Sequence, residues 1–232
     1  MLFRSRRMDR PALLPWECIE SNASIAIRIA AATAQDIVER RRREGDLLTE
    51  VALAAELGAS RTPAREAMLQ LERWGLVRLV PKKGAIVTPV VLEERRDLLA
   101  ARAMLEAEAV REVVSRELPV GLQDLLQAEV LSQRASLESG DRLAFATSDF
   151  AFHAAVIVAA GNPVFVELLG VLGPRMARLT HLAIVESPGR LCALTNEHEQ
   201  LGDMIAGGDA EGLVQLLRRH LAHGHGCAEP VD

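Results

Sequence analysis

The sequence predicts a mainly α-helical protein in two parts. These are an N-terminal winged helix-turn-helix over residues 24–90 and an all-α antiparallel helical bundle over residues 91–232. Three observations predict it. The chain is 49% hydrophobic but only 3% aromatic, lacks tyrosine, and is rich in Ala, Leu, Glu and Arg, a composition that favours helix. Residues 49–89 read as two short helices joined by a Gly-containing turn, then a hairpin. From residue 92 onward only helical segments appear, separated by Pro, Gly, Ser and Asn.

Taken in order, residues 1–23 contain Pro11 and Pro15 and read as a flexible arm. A helix from Ser24 to Arg43 carries Ile25, Ile29, Ile37 and Val38 on near-helical spacing and ends in Arg40-Arg41-Arg42-Arg43. Those cations suit either a helix C-terminus or DNA phosphates. Thr49 caps a short helix from Val51 to Leu57, and Gly58 ends it. The next helix runs from Ser60 to Trp74, with Pro63 in the first turn, where its missing N–H has no intrahelical role. Leu76–Val80 and Ala85–Pro89 flank the turn Pro81-Lys82-Lys83-Gly84, giving a basic-tipped wing. Pro89 and Glu93-Glu94-Arg95-Arg96 mark the boundary. Six helices are then expected near 92–117, 121–138, 141–160, 163–186, 189–206 and 209–224.

Charge and cysteine content narrow the function. The net charge of −5 conceals a split. Residues 1–90 carry 15 basic and 11 acidic residues, or +4; residues 91–232 carry 12 and 21, or −9. One part thus suits a polyanion and the other does not. Cys18, Cys192 and Cys227 are odd in number and lack CxxC spacing, which argues against a disulfide framework or zinc ribbon and favours the reducing cytoplasm. No run reaches the ~18–20 uninterrupted apolar residues of a membrane span, so no membrane partner is expected.

Arg61 and Arg65 lie four residues apart at a helix N-terminus, the end that a recognition helix inserts into the major groove. Each can offer a bidentate fork to guanine. Ser60 and Thr62 suit phosphates, and Lys82, Lys83 and Gly84 at the wing suit phosphates or the minor groove, where glycine permits a close backbone approach. Pairing of the two arginines with Glu66 or Glu72 is the competing reading. In the second part, Asp149 and His153 share one helical face, and His198 and His220 lie on the last two helices. By spacing alone the Asp-x-x-x-His pair also fits a surface or core pair. If the four converge, one carboxylate and three imidazoles suit Zn²⁺, Ni²⁺, Mn²⁺ or Fe²⁺.

The run Leu48-Thr49-Glu50-Val51, Leu57-Gly58-Ala59-Ser60-Arg61-Thr62-Pro63-Ala64-Arg65-Glu66-Ala67, Gly75-Leu76-Val77 and Lys83-Gly84-Ala85 resembles the GntR-family winged helix. The helical remainder resembles that family's FCD branch. Two departures stand out: Val51 occupies a position where many members carry a DNA-contacting arginine, and Ala52 replaces a usual acidic residue. The resemblance implies a divalent transition metal held by Asp149, His153, His198 and His220, and a cavity-facing Arg102 that clamps a small carboxylate or sugar-acid effector. A surface Arg102–Glu106 pair is the alternative. Arg175, Arg178 and Asn196 are further effector candidates, whereas Glu197 is set aside because helix neighbours point apart. His223 and His225 read as a solvent-exposed tail. The expected function is a homodimeric DNA-binding regulator, most simply a repressor, that meets a double-stranded operator and is controlled by the acid. The alternatives are a regulator with a structural or sensed metal and a helical-bundle metalloenzyme.

Overall fold

The computed structural model describes residues 7–17, 19 and 23–225. Cys18 and Cys227 lie outside them, and Cys192 is exposed and free. The chain divides into two compact units. Of the described residues, those within 12–91 form one unit together with residues 170–178; the other holds residues 7–11, 92–169 and 179–225.

In the first unit, α1 (Ile25–Val38), α2 (Glu50–Glu56) and α3 (Arg61–Arg73) are combined with β1 (Leu47–Leu48), β2 (Val77–Val80) and β3 (Gly84–Val87). Ser24 caps α1 through Ile27 N–H (3.3 Å), and Thr49 caps α2 through Ala52 N–H (3.2 Å). Ser60 stands at the N-cap of α3, but its hydroxyl makes no cap bond. β2 and β3 form the expected hairpin. β1 adds an unexpected third strand, giving the antiparallel order β1-β3-β2 with Leu47 opposite Ile86. Ile29, Ala30, Ala34 and Ile37 of α1 pack with Ala64, Ala67, Met68 and Leu71 of α3. Alanines on both faces let the two helices approach closely.

α1 stops at Val38, five residues short of the sequence expectation, and its last turn holds no basic residue. Arg40 leaves the helix at φ +62°, and Arg41 and Arg42 fold back on Asp36 at 2.7 and 3.3 Å. The Arg run is therefore partly an ion-paired turn. The described part of the N-terminal arm is also engaged. Met8 N–H donates to Val120 C=O (2.9 Å), Arg10 pairs with Glu129 (2.6 Å), and Leu14 is fully buried.

The second unit contains α4 (Leu92–Val114), α5 (Leu122–Ser139), α6 (Arg142–Ala159), the ends of α7 (Pro163–Glu186), α8 (Leu191–Gly207) and α9 (Ala210–Gly224). All six expected helices are present. Asp141, Asn162 and Asp209 cap α6, α7 and α9, while Gly140 and Gly208 end α5 and α8 in the left-handed region. α6 is central: residues 148–157 are all buried, as expected of a helix apolar on every side. By length and composition α6 and α7 could cross a bilayer, but 72% and 67% of them is buried. The placement of α6 puts Asp149 and His153 inside protein rather than in water.

Candidate metal centre and DNA-facing surface

Asp149 and His153, one turn apart on α6, meet His198 of α8 and His220 of α9. One ligand-type atom from each lies within 4.8 Å of all the others, and all four residues are buried. His153 Nε2 is 3.0 Å from His198 Nε2, and Asp149 Oδ1 is 3.6 Å from the same nitrogen. Ligands about 2.1 Å from a common ion stand about 3.0–3.4 Å apart, so these spacings suit one metal.

The orientation of the rings carries more weight than the spacing. His153 Nδ1 contacts Glu106 Oε2 (2.5 Å), His198 Nδ1 contacts Gln133 Oε1 (2.7 Å), and His220 Nδ1 contacts Glu197 Oε2 (2.8 Å). Each partner accepts the Nδ1 proton, which leaves Nε2 as a bare lone pair. Two such lone pairs 3.0 Å apart repel unless a cation lies between them. An imidazole fixed by an outer acceptor is the usual arrangement around a metal.

Electrostatics fit the same donor set. Burial, reinforced by Arg102 for His153 and by His220 for His198, holds both imidazoles well below their ordinary pKa, so they are neutral ligands. Burial alone would raise Asp149, but the Arg102 guanidinium beside it outweighs burial and the carboxyl is held at about 2. Three imidazole nitrogens and one carboxylate can hold a divalent transition metal.

Arg102 lines a narrow cavity beside the cluster, with Asp149, Thr180, Arg190, His220 and His225. The cavity has room for about one water (≈ 10 Å³). The Arg102–Glu106 pair exists, at 2.7 Å, but it is buried rather than on the surface. Arg102 Nη2 also reaches Asp149 Oδ2 (3.4 Å), which accepts from Thr180 Oγ1 (3.1 Å). Arg102 therefore orients Asp149 as well as facing the cavity.

Other candidates fall elsewhere. Arg175 and Arg178 belong to the stretch of α7 grouped with the first unit, where Arg178 Nη1 donates to Thr88 C=O (2.9 Å). Asn196 is exposed on α8 and does not line the cavity. Glu197, set aside on sequence grounds, holds His220. Its own pKa is lowered, first by that hydrogen bond. His223 is exposed, but His225 is only 7% exposed and lines the cavity, against expectation. Glu106, Gln133, Glu197 and Thr180 were not legible as site residues. Only Glu106, four residues after Arg102, carried a local signal.

On the first unit, Ser60, Arg61, Thr62 and Arg65 are exposed at the start of α3, and Lys82 and Lys83 are exposed at the wing tip. Among the described residues neither arginine is ion-paired. Glu72, a suggested partner, instead accepts from Leu79 N–H (2.8 Å) and anchors the wing. A groove of about 730 Å³ runs between Arg65, Val51 and the wing residues Lys82 and Lys83. Gly84 has a structural reason for its identity: with φ +118°, an added Cβ would fall 2.1 Å from Leu48 O of β1. It permits the close packing of β3 against β1.

A winged helix with an uncommitted basic face, joined to a helical unit built around buried ligand-type side chains, defines a DNA-binding transcriptional regulator. Residues 26–87 match the family described as bacterial regulatory proteins, gntR family, and residues 97–223 match the FCD domain. The chain belongs to the GntR family, in its FCD branch, a family of regulators rather than enzymes.

It is 27% identical over 202 residues to the probable D-xylose utilization operon transcriptional repressor of Paenarthrobacter nicotinovorans, covering 87% of this chain and 88% of the relative. Over 205 residues it is 27% identical to the gluconate operon transcriptional repressor of Bacillus subtilis, covering 86% and 83%. Among solved structures, E. coli McbR/YncC superposes with a TM-score of 0.73 at 23% identity, covering 87% of this chain and 95% of that one. A GntR regulator from Rhodococcus gives 0.75 at 20% identity, covering 88% and 97%. These two likenesses bear on the fold alone.

Proposed function

We propose that the chain is a cytoplasmic, homodimeric repressor whose hold on its operator is set by a small organic acid bound at a metal in the helical unit. The convergence of three Nε2 lone pairs and Asp149 Oδ1, with each Nδ1 tied to an outer acceptor, carries the metal part of this reading. Asp149, His153, His198 and His220 would hold a divalent ion, which when bound supplies a Lewis acid that anchors a carboxylate. Arg102, with Nη1 uncommitted among the described residues, is placed to neutralise that carboxylate. Two relatives are named as repressors of xylose and gluconate operons, which supports repression and a sugar-derived acid.

DNA contact falls to Arg61 and Arg65 for bases, and to Ser60, Thr62, Lys82 and Lys83 for phosphates. Val51, 55% exposed, supplies no charge there. Two copies are needed because a single winged helix makes few contacts and two-fold operators mirror two-fold proteins. Control requires the acid to bind one arrangement of the chain more tightly than another, a coupling of about 1–3 kcal/mol.

Elemental analysis of the purified protein tests the centre. About one divalent ion per chain is expected, and it should be absent from His153→Ala and His198→Ala. Full metal retention by both variants would reject the ligand set. The small cavity favours one second reading, a metal that is structural or itself sensed. That reading gains if metal binds but no carboxylate shifts the melting temperature.

A further inference from the structure

We propose that His225 completes the acid site as a ligand-reading side chain, hydrogen-bonding the hydroxyl of a short hydroxycarboxylate whose carboxylate lies at the histidine cluster. This rests on the acid-binding reading above. His225 follows the last turn of α9, is 7% exposed and lines the same cavity as Arg102, Thr180 and His220. Its Nδ1 is buried without a hydrogen-bond partner among the described residues. An orphaned buried nitrogen on a cavity wall is a group that a bound molecule can satisfy.

The backbone around the ring is fixed at several points. Arg95 Nη1 donates to His225 C=O (3.4 Å), and the guanidinium is held by Glu186 through Nη1 at 2.9 Å and Nη2 at 3.0 Å. Arg190 Nη1 donates to His223 C=O (2.9 Å). Both arginines satisfy carbonyls that the end of α9 leaves open. Gly224 lies so close to α8 that an added Cβ would stand 3.1 Å from Leu194. The ring is therefore seated by its own chain.

Its chemistry selects a hydroxyl. A neutral imidazole offers one donor and one acceptor nitrogen, and burial in the cavity wall favours that neutral form. A hydroxyl also donates and accepts, whereas the methyl of a plain carboxylate offers neither. Sites built to bond a hydroxyl discriminate strongly against analogues lacking it.

Calorimetric titration of the full chain loaded with Zn²⁺, using acetate and glycolate as probes, tests this. The wild type should bind glycolate at least ~10-fold more tightly than acetate. His225→Ala should bind the two within ~3-fold of each other while keeping its metal, and His225→Gln, which retains a donor and an acceptor, should recover part of the preference. A wild-type preference preserved in His225→Ala, no preference in the wild type, or metal lost from His225→Ala overturns the inference and leaves the cluster standing. Binding of neither acid to the metal-loaded wild type overturns the acid-binding reading, and this inference with it.

Discussion

Replacing Glu197 with alanine probes the centre at a residue that is not itself a ligand. Glu197 Oε2 accepts from His220 Nδ1 at 2.8 Å, and its side chain is 23% exposed, so the fold tolerates its loss. Without it the His220 ring loses the acceptor that selects its tautomer and orientation. Removing such an outer acceptor lowers metal affinity by about 10–100-fold. At free metal 100 times the wild-type dissociation constant, binding stabilises the wild type by about 2.7 kcal/mol. The same free metal is only about 1–10 times the variant's constant, worth about 0.4–1.4 kcal/mol. The metal-induced stabilisation should therefore be about 1.3–2.3 kcal/mol smaller. At about 2–4 °C per kcal/mol for a chain of this size, the metal-induced rise in Tm shrinks by about 3–9 °C. Scanning calorimetry in metal-buffered solution reads this directly, and Glu197→Gln, which keeps an acceptor, should behave nearly like the wild type. A full wild-type shift in Glu197→Ala would refute the argument from imidazole orientation.

Arg61→Ala and Arg65→Ala should each weaken operator binding by about 1–3 kcal/mol and relax base preference at one position, whereas Lys82→Ala should reduce the salt slope by about one without changing preference. Footprinting and salt titrations separate the two behaviours, and unchanged footprints would count against α3 as the recognition helix. Gly84→Ala places a Cβ 2.1 Å from Leu48 O at φ +118°, so urea unfolding should show a loss of at least about 1–3 kcal/mol. Stability of the metal-free protein should fall with acid. His153 and His198 have folded pKa values below their unfolded 6.5, so their contribution is complete above pH 6.5. It is lost as pH falls from there, at up to about 1.4 kcal/mol per pH unit for each. Asp149, at about 2 against 3.8, adds a further loss of about 2 kcal/mol between those values. Urea midpoints independent of pH from about 7 to 5 would contradict burial of two neutral imidazoles.

What the sequence revealed was mostly local. The Ser60–Ala67 run, with its cap position, first-turn proline and paired arginines, located α3, and the glycines and prolines between helices marked all six bundle segments. β1 was invisible because Leu47 and Leu48 have no strand pattern of their own; they are extended only because β3 pairs with them. The end of α1 was misplaced because Asp36 draws Arg41 and Arg42 back, a tertiary preference that overrides helix propensity. Among metal-site residues, the four ligand types could be named from the Asp-x-x-x-His face and the resemblance. Their outer acceptors could not, because Glu106 and Gln133 meet their histidines across 47 and 65 residues of sequence. Glu197 was discounted because it adjoins His198, yet a side chain turned away from one ligand faced another. Arg175 lies in the stretch of α7 that groups with the first unit, a division of one helix that its sequence does not signal.

The central claim, that the buried cluster and its acid govern DNA binding, is tested most directly by operator affinity in gel-shift titrations with and without a hydroxycarboxylate, on metal-loaded wild type and on His198→Ala. A coupling of about 1–3 kcal/mol predicts that the acid changes wild-type affinity by about 5–150-fold and leaves the metal-free variant unaffected. Wild-type affinity indifferent both to metal removal and to a panel of short and sugar-derived acids would contradict it.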